Sequence, residues 1–139
     1  MARLCGIELK SSEAILVVVQ CEEENIVLVD IEPRKIKLGD DESSEFMTSF
    51  FDSIVNFIRD NHIDTMIIKK RAKKGKMAGG AISFKMEALI QLNGIAKVEF
   101  ISGQAIAAAH KKDPFNMPDN IKKYQETAFM AASLYCRKK

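Results

Sequence analysis

Six lysine or arginine residues fall within eight positions: Lys69, Lys70, Arg71, Lys73, Lys74 and Lys76. Gly75, Gly79 and Gly80 lie among and after them, and glycine lets another backbone or a phosphate approach closely. Clustered cations of this kind can track a nucleic-acid backbone, because each neutralised phosphate releases condensed counterions. A solvated loop is the plain alternative. The adjacent glycines tilt the reading toward phosphate binding. Lys85 follows close behind and offers either a further phosphate contact or a stem laid over apolar surface. Nucleotide hydrolysis is disfavoured: upstream of Gly75-Lys76-Met77 the first glycine of a phosphate loop is missing, and Met77 stands where a hydroxyl should bind Mg²⁺. No aromatic residue is interleaved with the lysines, so stacking on single-stranded bases has no support in this segment.

Two elements must hold that segment. Before it, Ile63, Met66, Ile67 and Ile68 form a short apolar run that fits a strand covered on both faces. After it, Ile82, Met86, Leu89 and Ile90 recur at helical spacing, and Gly94 ends the helix. The loop therefore leaves the carboxyl end of a strand, the side of an open α/β sheet where ligands bind.

Upstream, three strands are expected around Leu4–Leu9, Ala14–Val19 and Ile26–Val29, joined by the short polar turns at 10–13 and 22–25. They form an antiparallel meander. The polar stretch Pro33–Asp41 reads as a connection. Ser43 or Ser44 can cap a helix whose broad stripe includes Phe46, Phe50, Ile54, Phe57 and Ile58. Phe51 lies off the densest side of that helix and hints at an oligomer surface. Val98–Ile101 is a further strand, and Ser102 caps an alanine-rich helix to His110. Asp119 is expected to cap the last helix.

The order β-β-β-α-β-α-β-α-α predicts a five-stranded mixed sheet with helices on both faces, in a single domain spanning 1–139. Right-handed crossovers would set the first strand beside the fourth. Glu8 would then lie near the end of a central strand, close to Lys69 and Lys70.

Composition sets further bounds. With 47% hydrophobic and 29% charged residues the chain reads as an ordinary globular protein. A net charge of +2 creates no global field that demands an anionic partner. The longest apolar run, Ala14–Val19, is too short to span a bilayer, so no membrane association is expected. Cys5, Cys21 and Cys136 show no CxxC spacing, which points to reduced structural thiols in a cytoplasmic protein.

Gly6-Ile7-Glu8 in the first strand, and Gln125-Glu126-Thr127-Ala128-Phe129-Met130-Ala131-Ala132 near the end, carry a resemblance. Together with the element order they resemble the ribonuclease H-like fold, in particular the RuvC-type Holliday-junction resolvases. Those nucleases have Gly-Ile-Asp in the first strand and metal-binding acids on the last helix. The segments Cys5–Leu9, Gly75–Ala81, Phe84–Ala88 and Gln125–Phe129 also look like a small bacterial family of unknown function assigned to this fold. The resemblance implies Glu8 and Glu126 as catalytic, metal-binding acids and Mg²⁺ or Mn²⁺ as cofactor. It also implies DNA or RNA as partner; the candidate nucleic-acid contacts, Lys69, Lys70, Arg71, Lys73, Lys74, Lys76 and Lys85, rest on the charge cluster itself.

The chain departs from the resolvase pattern at three places. The fourth strand ends in Lys69-Lys70 where resolvases have a glutamate, Lys123 stands one helical turn before Glu126, and Leu9-Lys10-Ser11-Ser12 replaces the resolvase turn. Two-metal phosphodiester cleavage needs carboxylates that hold two ions about 3.5–4 Å apart. Glu8 and Glu126 suffice for one ion, and Glu87 is the nearest further acid by sequence. The expected protein is thus a nucleic-acid binder with vestigial or weak metal-dependent nuclease activity. The alternative is a non-catalytic interaction protein or scaffold that retains the fold.

Overall fold

A computed structural model describes residues 2–23, 25–70 and 80–138. Strands β1 (Arg3–Lys10) and β2 (Glu13–Glu22) form a hairpin whose two-residue turn places Ser11 at a φ of 55°. Strand β3 (Asn25–Val29) pairs antiparallel with the far end of β2. Helix α1 (Ser44–Asp60), strand β5 (Thr65–Lys70), helix α2 (Ala81–Gln91), strand β6 (Lys97–Ser102) and helix α3 (Gly103–Lys112) follow. A short 3-10 turn (Lys123–Gln125) leads into α4 (Glu126–Arg137). The sheet order is β3-β2-β1-β5-β6, with β1, β5 and β6 parallel to one another.

The sheet has six strands among the described residues, one more than expected. Within the stretch read as a connection, β4 (Lys35–Lys37) pairs antiparallel with Glu13–Ile15 of β2. It carries one inward residue, Ile36, between two lysines, too little alternation to stand out in sequence.

Alternation sorts the core into two layers. Cys5, Ile7 and Leu9 of β1 and Met66 and Ile68 of β5 face Phe50, Ile54, Phe57 and Ile58 of α1 and Met86 and Ile90 of α2. Leu4 of β1, Ile15, Val17 and Val19 of β2, and Ile67 of β5 face the other way, onto Ala128, Phe129, Ala131 and Ala132 of α4. Residues 4, 6 and 8 of β1 therefore look toward α4.

Ser43 caps α1 as expected, its Oγ accepting from the Phe46 N–H at 3.3 Å. Ser102 caps α3, accepting from the Ala105 N–H at 3.0 Å. Gly94, at φ 75°, turns the chain after α2, and the buried Asn93 side chain bonds Ile90, Ile95 and Ala96 around that turn. Phe51, expected to mark an oligomer surface, is half-buried, and Phe46 is the more exposed phenylalanine of α1 at 52%.

The last helix starts later than Asp119 predicts. Asp119 is exposed, and Gln125 supplies the start: its Oε1 accepts from the Lys122 N–H at 3.1 Å. The Gln125 Nε2 donates to the Leu16 carbonyl at 3.0 Å. Leu16 lies between the parts of β2 that pair with β4 and with β3, and its N–H is taken by the Arg34 carbonyl. One buried glutamine therefore both opens the helix and satisfies a gap in the sheet edge.

The cysteine expectation is corrected for two of the three. Cys21, at the end of β2, and Cys136, near the end of α4, are disulfide-bonded with Cα atoms 5.9 Å apart. The pairing is made by the tertiary fold, which brings together residues separated by 115 positions, so no local spacing announces it. Cys5 is a free, buried thiol. Among the described residues no helix is long and apolar enough to cross a membrane.

Candidate nucleic-acid interface at the carboxyl end of the sheet

Gly6 explains how α4 comes to lie over β1. A Cβ on Gly6 would overlap the carbonyl oxygen of Ala128, so only glycine lets the helix backbone settle on the strand. The helix is tied at Gln125 to Leu16 and at Cys136 to Cys21, so it runs along β2 from the hairpin end to the far end. Its first residue, Glu126, thus sits at the carboxyl end of β1. Glu126 is half-buried and shares with Glu8 both an end and a face of the sheet.

The parallel register pairs Ile7 with Ile68, so the next residues out, Glu8 and Lys69, lie side by side. Lys69 Nζ is 3.7 Å from Glu8 Oε2, and the side chains are 27% and 14% exposed, respectively. The Lys69 stem passes over Gly103, the first residue of α3. A helix N-terminus carries partial positive charge, which adds to the ammonium beside Glu8. The Glu8 carboxylate is therefore flanked by two sources of positive potential.

Lys70, one residue on, is exposed and by alternation faces away from α4. The lysine that meets Glu8 is accordingly Lys69. Lys85 lies on α2, across the sheet, where its Nζ is 2.9 Å from Asp41 Oδ2 and 3.0 Å from the Asp41 carbonyl. That hydrogen bond holds the Asp41 carboxyl below its usual range and raises the Lys85 ammonium. Arg71, Lys73, Lys74 and Lys76 lie outside the described residues.

The residues present do not fit a two-metal centre. Among the described residues no three or more His, Cys, Asp or Glu converge to hold an ion. Glu87, the further acid proposed from sequence, is on α2 and so belongs to the opposite layer from Glu8. An ammonium already occupies the flank of Glu8, and a cation there opposes a second one.

Several contributors to this end of the sheet escape a sequence reading. Lys35 of β4 is opposite Ile15, which is opposite Glu8, so Lys35 shares the α4 face. Lys10 and Lys37 flank Glu13 in the next row. Lys35 Nζ lies 4.3 Å from the centroid of the Tyr124 ring, in the turn just before α4. The signal in sequence is the alternation Lys35-Ile36-Lys37, legible only once its pairing with β2 is known.

Over residues 2–135 the sequence matches the family described as "Protein of unknown function (DUF3010)", and the chain belongs to that family. A comparison with curated proteins gives no match. Among solved structures the fold is similar to Thermus thermophilus RuvC, at TM-score 0.68 and 11% identity, covering 98% of this chain and 96% of that one. The same protein in complex with a Holliday junction substrate gives TM-score 0.70 at 11% identity, covering 99% and 96%. The fowlpox virus Holliday junction resolvase gives 0.55 at 12% identity, with 99% of each chain covered. The chain has a ribonuclease H-like fold. At these identities the likeness carries the fold alone.

Proposed function

We propose that this protein binds structured nucleic acid at the carboxyl end of its sheet and that its metal-dependent cleavage of phosphodiesters is vestigial. The Glu8–Lys69 ion pair, at 3.7 Å, carries the reading. It places a fixed ammonium where a cleaving enzyme of this fold would want a metal-holding carboxylate. A lysine so placed is a point charge for a backbone phosphate, with no need of an ion to bridge them. Lys10, Lys35 and Lys37 add positive charge at the same end of the sheet, and the segment Lys69–Lys76 continues the basic run in sequence.

RuvC has been solved with a Holliday junction, so a four-way DNA junction is the first ligand to test. Among the described residues no three acids converge at this end, so Mg²⁺ or Mn²⁺ would find too few carboxylates for two-ion chemistry. We place the protein in the cytoplasm of a bacterium, as one domain, on the nucleic-acid reading and not on its thiols, since Cys21 and Cys136 are bonded to each other. Titration of a labelled four-way junction, with and without Mn²⁺, tests the reading. Salt-sensitive binding with little or no cleavage is expected. Absence of binding to junction and duplex alike at low salt would overturn it.

One observation favours a second reading, a scaffold that keeps the fold without the site. Lys85 is held by Asp41 rather than presented at the carboxyl end beside Glu8. Under that reading the junction titration finds no binding, and the same structure serves a protein partner.

A further inference from the structure

In the same cross-strand row as the Glu8–Lys69 pair lies a feature that neither the ion pair nor the lysine segment uses. Tyr124 is 38% exposed in the turn before α4, and the ammonium of Lys35 rests 4.3 Å from its ring centroid. Antiparallel register sets Lys35, Ile15 and Glu8 in one cross-strand row, and Lys69 extends that row onto β5. Neighbouring strands are about 4.8 Å apart, so the backbones of Lys35 and Lys69 are separated by roughly 14 Å. The next row out holds Lys10, Glu13 and Lys37.

We infer that Tyr124 and Lys35 form a stacking station for one unpaired nucleotide, two strands from Glu8 on the α4 face of the sheet. This rests on the proposed nucleic-acid binding and adds to it a preference for interrupted over continuous duplex. Stacking on a tyrosine requires a base with a free face, which a base inside a duplex lacks. The ring is positioned in advance. Gln125, the next residue, is fixed to Leu16 and to the Lys122 N–H, and Lys35 holds the ring by a cation–π contact. A ring fixed before binding loses little entropy when a base arrives. Lys35 and Lys37 then meet the phosphates on either side of the stacked base, and Lys69 meets the strand farther along.

The test compares a DNA duplex carrying a single-nucleotide bulge with the same duplex fully paired, by fluorescence anisotropy. Native protein is expected to bind the bulged duplex more tightly. Tyr124→Leu should lose about tenfold in affinity for the bulged duplex and nothing for the paired one. Tyr124→Phe should keep the preference, which a merely structural role of the hydroxyl would not explain. A 2-aminopurine at the bulge should be quenched by native protein, a readout that needs no variant. Equal binding of both duplexes by native protein, or no quenching, would overturn the station while leaving general nucleic-acid binding intact. Failure to bind either duplex at low salt would overturn both.

Discussion

Lys69 of β5 reaches Glu8 of β1 at 3.7 Å, on the face of the sheet covered by α4. The contact follows from parallel register, which brings the two residues together one step beyond Ile7 and Ile68. It turns the end of the central strands from an acidic pocket into a balanced pair with basic neighbours. Binding of a polyanion suits such a site better than capture of two divalent cations.

Metal affinity should therefore be switchable at one position. Thermal unfolding of the native protein should show no saturable rise with added Mn²⁺ at fixed ionic strength. Lys69→Glu should gain one, because a carboxylate then replaces the ammonium next to Glu8 and adds to Glu8 and Glu126. The stabilisation would reach about 2.7 kcal/mol at a hundredfold excess over the dissociation constant. Adding Glu8→Gln to that variant should abolish the rise.

Gly6→Ala should be among the most damaging single-methyl changes in the chain. The new Cβ would overlap the Ala128 carbonyl, so either α4 or β1 must shift. A loss of about 3 kcal/mol or more is expected in urea unfolding. Loss of junction binding should accompany it, since the same displacement moves Glu126 and Tyr124 away from the sheet end.

Cross-linking of Cys21 to Cys136 should stabilise the protein mainly through the unfolded chain. The pair spans 115 residues, a long loop whose closure is worth up to about 5 kcal/mol in a chain-entropy account. Cys136→Ser, or a reductant, should lower the unfolding midpoint by a fraction of that. The fold should survive, because two apolar layers hold the sheet without the cross-link.

Cys5 offers a pH test. Burial pushes its thiol up to about 12, with the backbone hydrogen bond at Val17 opposing the rise. The folded value exceeds the unfolded one, about 8.5. Its stabilising contribution is therefore complete below that pH and is lost as pH rises toward 12, by about 1.4 kcal/mol per unit. Cys5→Ala should remove this alkaline slope, and native Cys5 should resist alkylation at neutral pH.

Much of this arrangement is legible in the amino-acid order. Apolar runs such as Ala14–Val19 and Met66–Ile68 announce buried strands, and crossover handedness predicts Glu8 close to Lys69 and Lys70, of which Lys69 is the one that meets it. Features missed by the sequence reading depend on partners remote in sequence. Strand β4 has a single inward residue, Ile36, and exists because β2 offers it an edge. Asp119 has the chemistry of a cap, but Gln125 is the residue that reaches Leu16. The disulfide and the Lys35–Tyr124 contact join elements whose proximity only the folded chain creates.

The most direct measurement is the salt dependence of four-way junction affinity for the native protein and for Lys69→Ala. The account predicts measurable binding that weakens linearly on a log–log plot. It also predicts a slope for the variant that is shallower by about one, the loss of a single phosphate contact. Binding that is absent, insensitive to salt, or identical in slope between the two proteins would contradict it.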